Sequence, residues 1–333
     1  GVAGTRKPLI AKGAARRFGA GRRKVLFLCF NRLLFTYLQH MYPYDNVSYC
    51  NIHTFIAKYR PGADTSSKEK RTAELLKIDW DFLEFDDVII DEGQDFMEEE
   101  VVYFKEYIDL VDGHFFVFYD KNQLLTTQKV PAWIENAECK LLLTKNCRNT
   151  YEIALTSYNV IDISLNKKIM MINGDQTSIS FVKGEPITRL AKLIRMLTGE
   201  HYGYEYSDIV ILSLKSEEDS ILGKINKIAG ITITREKTNS SILFTTASKF
   251  KGLESRVVII VDIDEKSFTD EERKRMFYVA CSRATQYLNL FINGDEQKIK
   301  DIADAISRKS HFAAKGRIAM KTQAKILDLD EII

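Results

Sequence analysis

Compact, mostly apolar runs of strand length, each followed by a polar break, constrain this chain more than any other feature. Residues 25–30 (VLFLCF), 47–52 (VSYCNI), 88–91 (VIID) and 115–119 (FFVFY) form a first series. Residues 179–182, 209–212, 242–245, 257–261 and 288–292 form a second, with helical segments predicted over 186–198, 217–229 and 269–282. Continuous rather than alternating apolar runs suit strands buried on both faces of a parallel sheet. Their alternation with helices predicts two consecutive α/β units, and 333 residues suffice for about two domains. The join is expected near 140–150, where the strand LLLT leads into KNCRNT. This gives a first domain over 1–143, a second over 144–293 and a helical tail over 294–333.

Composition excludes whole classes. Hydrophobic residues at 45% and charged residues at 28% fit an ordinary globular protein rather than a disordered one. A net charge of +2 gives no whole-chain footprint for nucleic acid, so any such role must rest on local patches. No run approaches the roughly 18 apolar residues of a membrane span. The five cysteines form no C-x-x-C pair, which argues against a disulfide framework or structural zinc and predicts a cytoplasmic setting. Residues 1–44 carry nine basic side chains and no acid, either a solvated basic face or a phosphate-holding segment.

The richest chemistry lies at 88–96, VIIDEGQDF. An apolar strand ends in adjacent carboxylates, Asp91 and Glu92, and the carboxyl ends of parallel strands are where α/β sheets bind ligands. One carboxylate can hold Mg²⁺ through its waters while its neighbour positions an attacking water. A solvated acidic turn is the plain alternative. At the amino terminus GVAGTRKP lies over the phosphate-cradling pattern G-x-x-x-x-G-K-[ST]. Gly1 and Lys7 fit, but Arg6 replaces the second glycine and Pro8 the metal-binding hydroxyl. Arg6 puts a Cβ where backbone must approach phosphate, and Pro8 offers neither hydroxyl nor N–H. An ordinary glycine-containing turn is an equal reading of the loop alone. Further along come DKNQ after the FFVFY strand, NCRN after LLLT, TASKFKGLE at 246–254 and YVACSRA at 278–284. Taken singly, an arginine such as Arg148 or Arg283 is more often a surface ion-pair partner than a catalytic group.

In order and in strand context, these segments resemble the motifs of superfamily 1 helicases of the UvrD/Rep type, especially compact bacterial forms. GVAGTRKP is similar to motif I, VLFLCFNRLL to Ia, NIHTFI to Ib and VIIDEGQDF to II. FYDKNQ resembles III, LTKNCRNT IV, TASKFKGLE V and MFYVACSRA VI, with II, V and VI the most specific. The resemblance spans about 290 residues. It implies an α/β fold of two tandem RecA-like P-loop NTPase domains with mainly parallel sheets, ATP and Mg²⁺ as cofactors, and nucleotide held between the lobes. By that resemblance Gly1, Gly4, Thr5 and Lys7 cradle the phosphates, Asp91 holds the metal and Glu92 is the general base. Gln123 couples the γ-phosphate to the nucleic acid, Arg148 and Arg283 neutralise charge in phosphoryl transfer, and Gly252 and Glu254 face the nucleotide. Phe30 and Asn31 with His53, Thr54 and Phe55 line a single-strand track, where stacking and phosphate contacts would act. His53 and Phe55 read equally well as ordinary core or loop residues.

The chain departs from the family in four places. The strand before the phosphate loop and the adenine-reading glutamine motif upstream are missing, so the chain reads as a fragment or one with a trimmed start. Arg6 and Pro8 damage motif I, Cys147 stands where an aromatic commonly stacks on adenine, and LLTTQ after Gln123 lacks a base-stacking aromatic. Short connections between Ib and II and between IV and V leave no room for large accessory subdomains. The expectation is an ATP-dependent DNA helicase or translocase core moving 3′–5′ on single-stranded DNA, with hydrolysis impaired by the Arg6/Pro8 loop. It would pair with single-stranded DNA and a nuclease domain or partner, and with no membrane. The alternative is a non-catalytic nucleic-acid or nucleotide-binding module beside a nuclease. An unrelated α/β enzyme would need six ordered coincidences.

Overall fold

The computed structural model describes residues 13, 16–17, 23–119, 131–141, 148–161, 172–307 and 314–331. The chain separates into two compact units, Gly1–Thr144 and Lys145–Ile333.

In the first unit, β1 (Val25–Cys29) leads through α1 (Arg32–Met41) to β2 (Val47–Asn51). Helices α2 (Ile52–Tyr59) and α3 (Lys68–Leu75) follow, then β3 (Asp87–Ile90), α4 (Glu98–Leu110), β4 (His114–Val117) and the short α5 (Ala132–Glu135). The strand order is β2-β1-β3-β4, and every pairing is parallel. Both helices that leave β1 and β2 start on an asparagine cap. Asn31 accepts from Leu33 N at 2.9 Å and Asn51 from Thr54 N at 2.7 Å, each satisfying an otherwise orphaned first-turn donor. Leu26, Leu28, Val88 and Ile90 point to one face of the sheet, where they pack with Ile52, Phe55, Ile56 and Phe104. The opposite parity, Val25, Phe27 and Ile89, is also buried, which is why these runs read as continuous rather than alternating. At the amino edge of β3 the buried Asp87 accepts from Arg23 Nε and Nη2, both at 2.8 Å, and from His114 N at 2.9 Å.

The second unit opens with α6 (Tyr151–Val160) and holds an eight-stranded sheet of order β12-β5-β11-β10-β6-β9-β8-β7. Its strands are β5 (Ser178–Val182), β6 (Ile209–Ser213), β7 (Lys227–Ile228), β8 (Ile231–Thr234), β9 (Ile242–Thr246), β10 (Ser255–Val261), β11 (Ala284–Asn293) and β12 (Lys325–Leu327). All pairings are parallel except β7 with β8. Helix α7 (Pro186–Thr198) joins β5 to β6, and α8 (Lys266–Thr269) with α9 (Glu271–Cys281) joins β10 to β11. Along β10 the period of two divides the core: Val258 and Ile260 join Phe277, Ala280 and Cys281 of α9. Val257, Ile259 and Val261 join Leu190, Leu193 and Ile194 of α7 on the other face. The fold is thus mixed α/β with mainly parallel sheets.

Two expectations are corrected. The helix expected over 217–229 is instead a series of turns ending in β7. Ile221, Leu222, Ile225 and Ile228 mimic a helical face, but Arg235 takes the carbonyls of Leu222, Gly223 and Ile225, and Ile221 N donates to Asp262 at 3.2 Å. The tail after 293 is not wholly helical. It contains α10 (Glu296–Ser307) and α11 (Ala314–Thr322), but it ends in β12, which pairs with β5 and completes the sheet edge. The LLLT strand expected at 141–144 lies outside the described residues from 142 onward.

Candidate functional site

Parallel pairing brings the carboxyl ends of β1, β2, β3 and β4 to one edge of the first unit's sheet. Asp91 N donates to Leu28 O at 2.8 Å, so the ladder carries the acidic pair to the end of β3. Asp91 is fully buried and its Oδ1 accepts from Glu92 N at 3.0 Å. Glu92 then adopts a left-handed backbone, φ 55°, a conformation that non-glycine residues seldom take and that clusters at functional sites. That reversal lets Gly93 N donate to Phe118 O at 2.8 Å. Gly93 is needed there because a Cβ would come within 2.4 Å of Val117 Cγ1. The Gln94 side-chain amide donates to the Glu92 carboxylate. Cys29, buried in the same place, has its thiol pushed well up by burial and then by the nearby Asp91 charge, so it stays protonated. One hard carboxylate at a strand end fits Mg²⁺, which keeps most of its waters and takes one or two protein oxygens.

Beside the acids stand Phe30 and His53. Their rings meet edge to face at 6.0 Å, and Phe30 meets Phe96 at 6.3 Å. The His53 Nδ1 lies 2.9 Å from Thr65 Oγ1. Burial, then the Arg71 charge, lowers its pKa, so the ring is neutral at pH 7. Asn31 caps α1, and Thr54 is exposed on α2. Phe55 is a correction. At 2% exposure it packs against Tyr59, Phe85 and Phe104, so it is core and offers no surface to a base.

In the second unit, four of the residues singled out in the sequence come together. Arg148 Nε donates to Glu254 Oε2 at 2.7 Å. Arg283 is 1% exposed and donates from Nε to Val279 O at 3.0 Å, from Nη1 to Leu253 O at 3.4 Å and from Nη2 to Ser282 Oγ at 2.9 Å. Gly252, φ +84°, makes the left-handed turn that delivers Leu253 and Glu254 to this cluster. Asn149, not singled out before, ties the arginine loops to the sheet through Nδ2, which donates to Ser282 O at 3.0 Å and Ala284 O at 2.6 Å. Gly1, Gly4, Thr5, Lys7 and Gln123 lie outside the described residues, as do Arg6, Pro8 and Cys147.

Sequence reading missed two further features. At the carboxyl ends of β6 and β9 a groove of about 340 Å³ is lined by Lys215, Ser216, Thr246, Ser248 and Arg273, with Asp219 also on its wall. Of its lining, Thr246, Ala247, Ser248 and Met276 fall within recognised motif segments, but Lys215, Ser216, Asp219 and Arg273 do not. Behind Phe30, Arg71 and Glu100 form a buried ion pair. The surrounding KEKRTAEL reads as a solvated charged helix and gave no signal. Among the described residues no group of three or more His, Cys, Asp or Glu could hold a metal, and no helix is long and apolar enough to cross a membrane.

Residues 241–291 match the family described as the UvrD-like helicase C-terminal domain. That segment runs from β9 to β11 and contains Gly252, Glu254 and Arg283. A solved structure, the C-terminal domain of a possible DNA helicase from Lactobacillus plantarum WCFS1, is similar to this chain at 18% identity. The similarity covers 44% of this chain and 88% of that one, with a TM-score of 0.35. No curated protein matches the chain. Over the matched segment the second unit is similar to a helicase C-terminal domain.

Proposed function

We propose that this chain is the motor core of an ATP-dependent DNA helicase or translocase, built from two RecA-like domains and moving 3′–5′ on single-stranded DNA. The observation that carries this reading is the cluster of Arg148, Gly252, Glu254 and Arg283, most of it inside the segment that matches the UvrD-like C-terminal domain. Asp91 would hold Mg²⁺, which supplies charge neutralisation on the phosphates when bound. Glu92, steered by Gln94 and by its left-handed backbone, would take the proton of the attacking water. Arg148 would offset charge developing on the transferred phosphoryl group, as would Arg283 once its donors leave the two carbonyls and the Ser282 hydroxyl they now serve; such arginines contribute about 10³-fold or more to rate. Phe30, His53 and Thr54 would meet the bases and sugar-phosphate of the strand, and the Lys215/Arg273 groove its phosphates.

Arg6 and Pro8 weaken the phosphate loop, so hydrolysis is expected to be slow. ATPase turnover with single-stranded DNA tests this on three chains: the unmodified protein, Glu92→Gln, and Arg6→Gly with Pro8→Thr. The repair should raise turnover, and Glu92→Gln should lower it by about 10²-fold or more. Strong turnover in the unmodified chain removes the impairment, and no gain from the repair removes its assigned cause. One observation favours the second reading, a non-catalytic binding module beside a nuclease: each of the three Arg283 guanidinium nitrogens donates a hydrogen bond within its own unit. Tight single-strand binding indifferent to ATP and Mg²⁺ would select it.

A further inference from the structure

The Arg71–Glu100 pair joins α3 to the first turn of α4 and lies behind Phe30. Arg71 is 2% exposed and Glu100 fully buried. Their contact is bidentate, Nε to Oε1 and Nη2 to Oε2, each at 2.7 Å. Glu100 is completed by Thr72 Oγ1, donating to Oε1 at 3.0 Å, and by Met97 N, donating to Oε2 at 2.9 Å. A carboxylate with four donors on two oxygens is fixed, and it fixes the planar guanidinium in turn. The Arg71 Cζ then stands 5.1 Å from the centroid of the Phe30 ring and over it. Phe96 and His53 meet the same ring at 79° and 69°. One face of Phe30 is thereby closed by a cation that cannot itself reach solvent.

We propose that Arg71 and Glu100 are positioning residues that set the Phe30 ring as a stacking platform for an unpaired base. The inference rests on the single-strand reading above and adds to it a part that touches no nucleic acid. A ring held from behind loses little freedom when a base stacks on it, so more of the stacking energy appears as affinity. A buried guanidinium with a fully bonded carboxylate makes no phosphate contact, so its loss should leave the salt dependence of binding unchanged.

The test uses the full chain and the double variant Arg71→Met with Glu100→Met, because removing a buried pair together avoids stranding a lone charge. Binding is measured across a salt series to a dT oligonucleotide and to an abasic strand of equal length. The variant should bind the dT strand about tenfold more weakly, within the value of one base–aromatic stack. Abasic binding and both salt slopes should hold. Phe30→Leu should show the same loss, and combining it with the double variant should add nothing. Equal losses on both strands, unchanged dT binding, or additive losses would each overturn the proposal. Aromatic NMR of Phe30 gives a readout free of DNA: its resonances should shift and average in the double variant. Unchanged Phe30 resonances sink the positioning role. Altered resonances in a protein that never distinguished dT from abasic strand sink the single-strand reading and leave the positioning intact.

Discussion

Replacing Gly93 by alanine should destabilise the first unit alone, and the structure supplies both the size of the effect and its reporter. The added Cβ would sit 2.4 Å from Val117 Cγ1, far inside van der Waals contact, with Phe118 O and Trp133 Cη2 at an ordinary 3.5 Å. Gly93 does not have a positive φ, so the penalty is packing and not backbone strain. Val117 is β-branched and stiff at χ1, and its strand is fixed to β3 through Ile90↔Val117. Yielding must therefore come from the β4 backbone or from the turn at Glu92. Overpacking of this kind costs about 1–3 kcal/mol; with Val117 half-buried, about 2 kcal/mol is expected. For a unit of this size that lowers the melting temperature by about 4–8 °C. The chain has two tryptophans, Trp80 and Trp133, and both lie in Gly1–Thr144. Tryptophan fluorescence on heating therefore follows this unit selectively. Gly316→Ala, in α11 with nothing within 4 Å of the new Cβ, is the control and should leave the tryptophan transition in place. An unmoved transition in Gly93→Ala would refute the packing of the acidic turn against β4.

Two other perturbations probe the frames that hold the candidate sites. Asp87→Asn removes the charge that pairs with Arg23 and turns one of the two accepting oxygens at the amino edge of β3 into a donor; breaking a buried pair costs about 3–5 kcal/mol, here at the lower end because both partners are partly open to water. Burial pushes the Asp87 carboxyl up, but the Arg23 and His114 bonds outweigh it and the net shift is downward. Its stabilisation is therefore complete above the ordinary aspartate value of about 3.9 and is lost as pH falls through the lower folded value. Acid titration of the tryptophan signal should show that loss in the native chain and not in the variant. Asn149→Ala strands the carbonyls of Ser282 and Ala284 and should cost the second unit about 1–3 kcal/mol, read by calorimetry with the tryptophan transition unchanged.

The longer strands were legible because strands buried on both faces, such as β1 and β6, are apolar at nearly every position, while β2 with its exposed Ser48 and the half-buried β4 stood out by shorter apolar runs. The short strands β7, β8 and β12 were not, since strands of two to four residues at or next to a sheet edge carry little apolar signal. Residues 217–229 misled because a turn anchored by Arg235 and Asp262 can bury Ile228 and half-bury Ile221 and Ile225, three residues that stand at helical spacing. Phe55 could have been placed: Ile52, Phe55 and Ile56 form the buried face of α2, which leaves His53 and Thr54 off it. Arg71 could not, because a charged side chain on a polar helix looks the same in sequence whether it meets water or Glu100.

The Arg148–Glu254 pair allows a prediction whose sign separates a structural strut from a nucleotide contact. Arg148 has little exposure, but the Glu254 side chain is 48% exposed, so the pair is worth about 1 kcal/mol at most. If Arg148 turns to phosphate when a triphosphate binds, that pairing must first open, and Glu254 competes with the ligand for the guanidinium. Glu254→Gln keeps a hydrogen-bonding side chain of the same shape while removing the competing charge. ATP affinity should then rise by roughly fivefold, the equivalent of about 1 kcal/mol, and the gain for AMP should be smaller because it lacks the terminal phosphates. A strut behaves in the opposite way: without it the turn at Gly252 loosens and affinity falls for both nucleotides alike. Isothermal titration with each nucleotide gives the answer, and an equal loss for ATP and AMP would remove Arg148 from the phosphate-binding set.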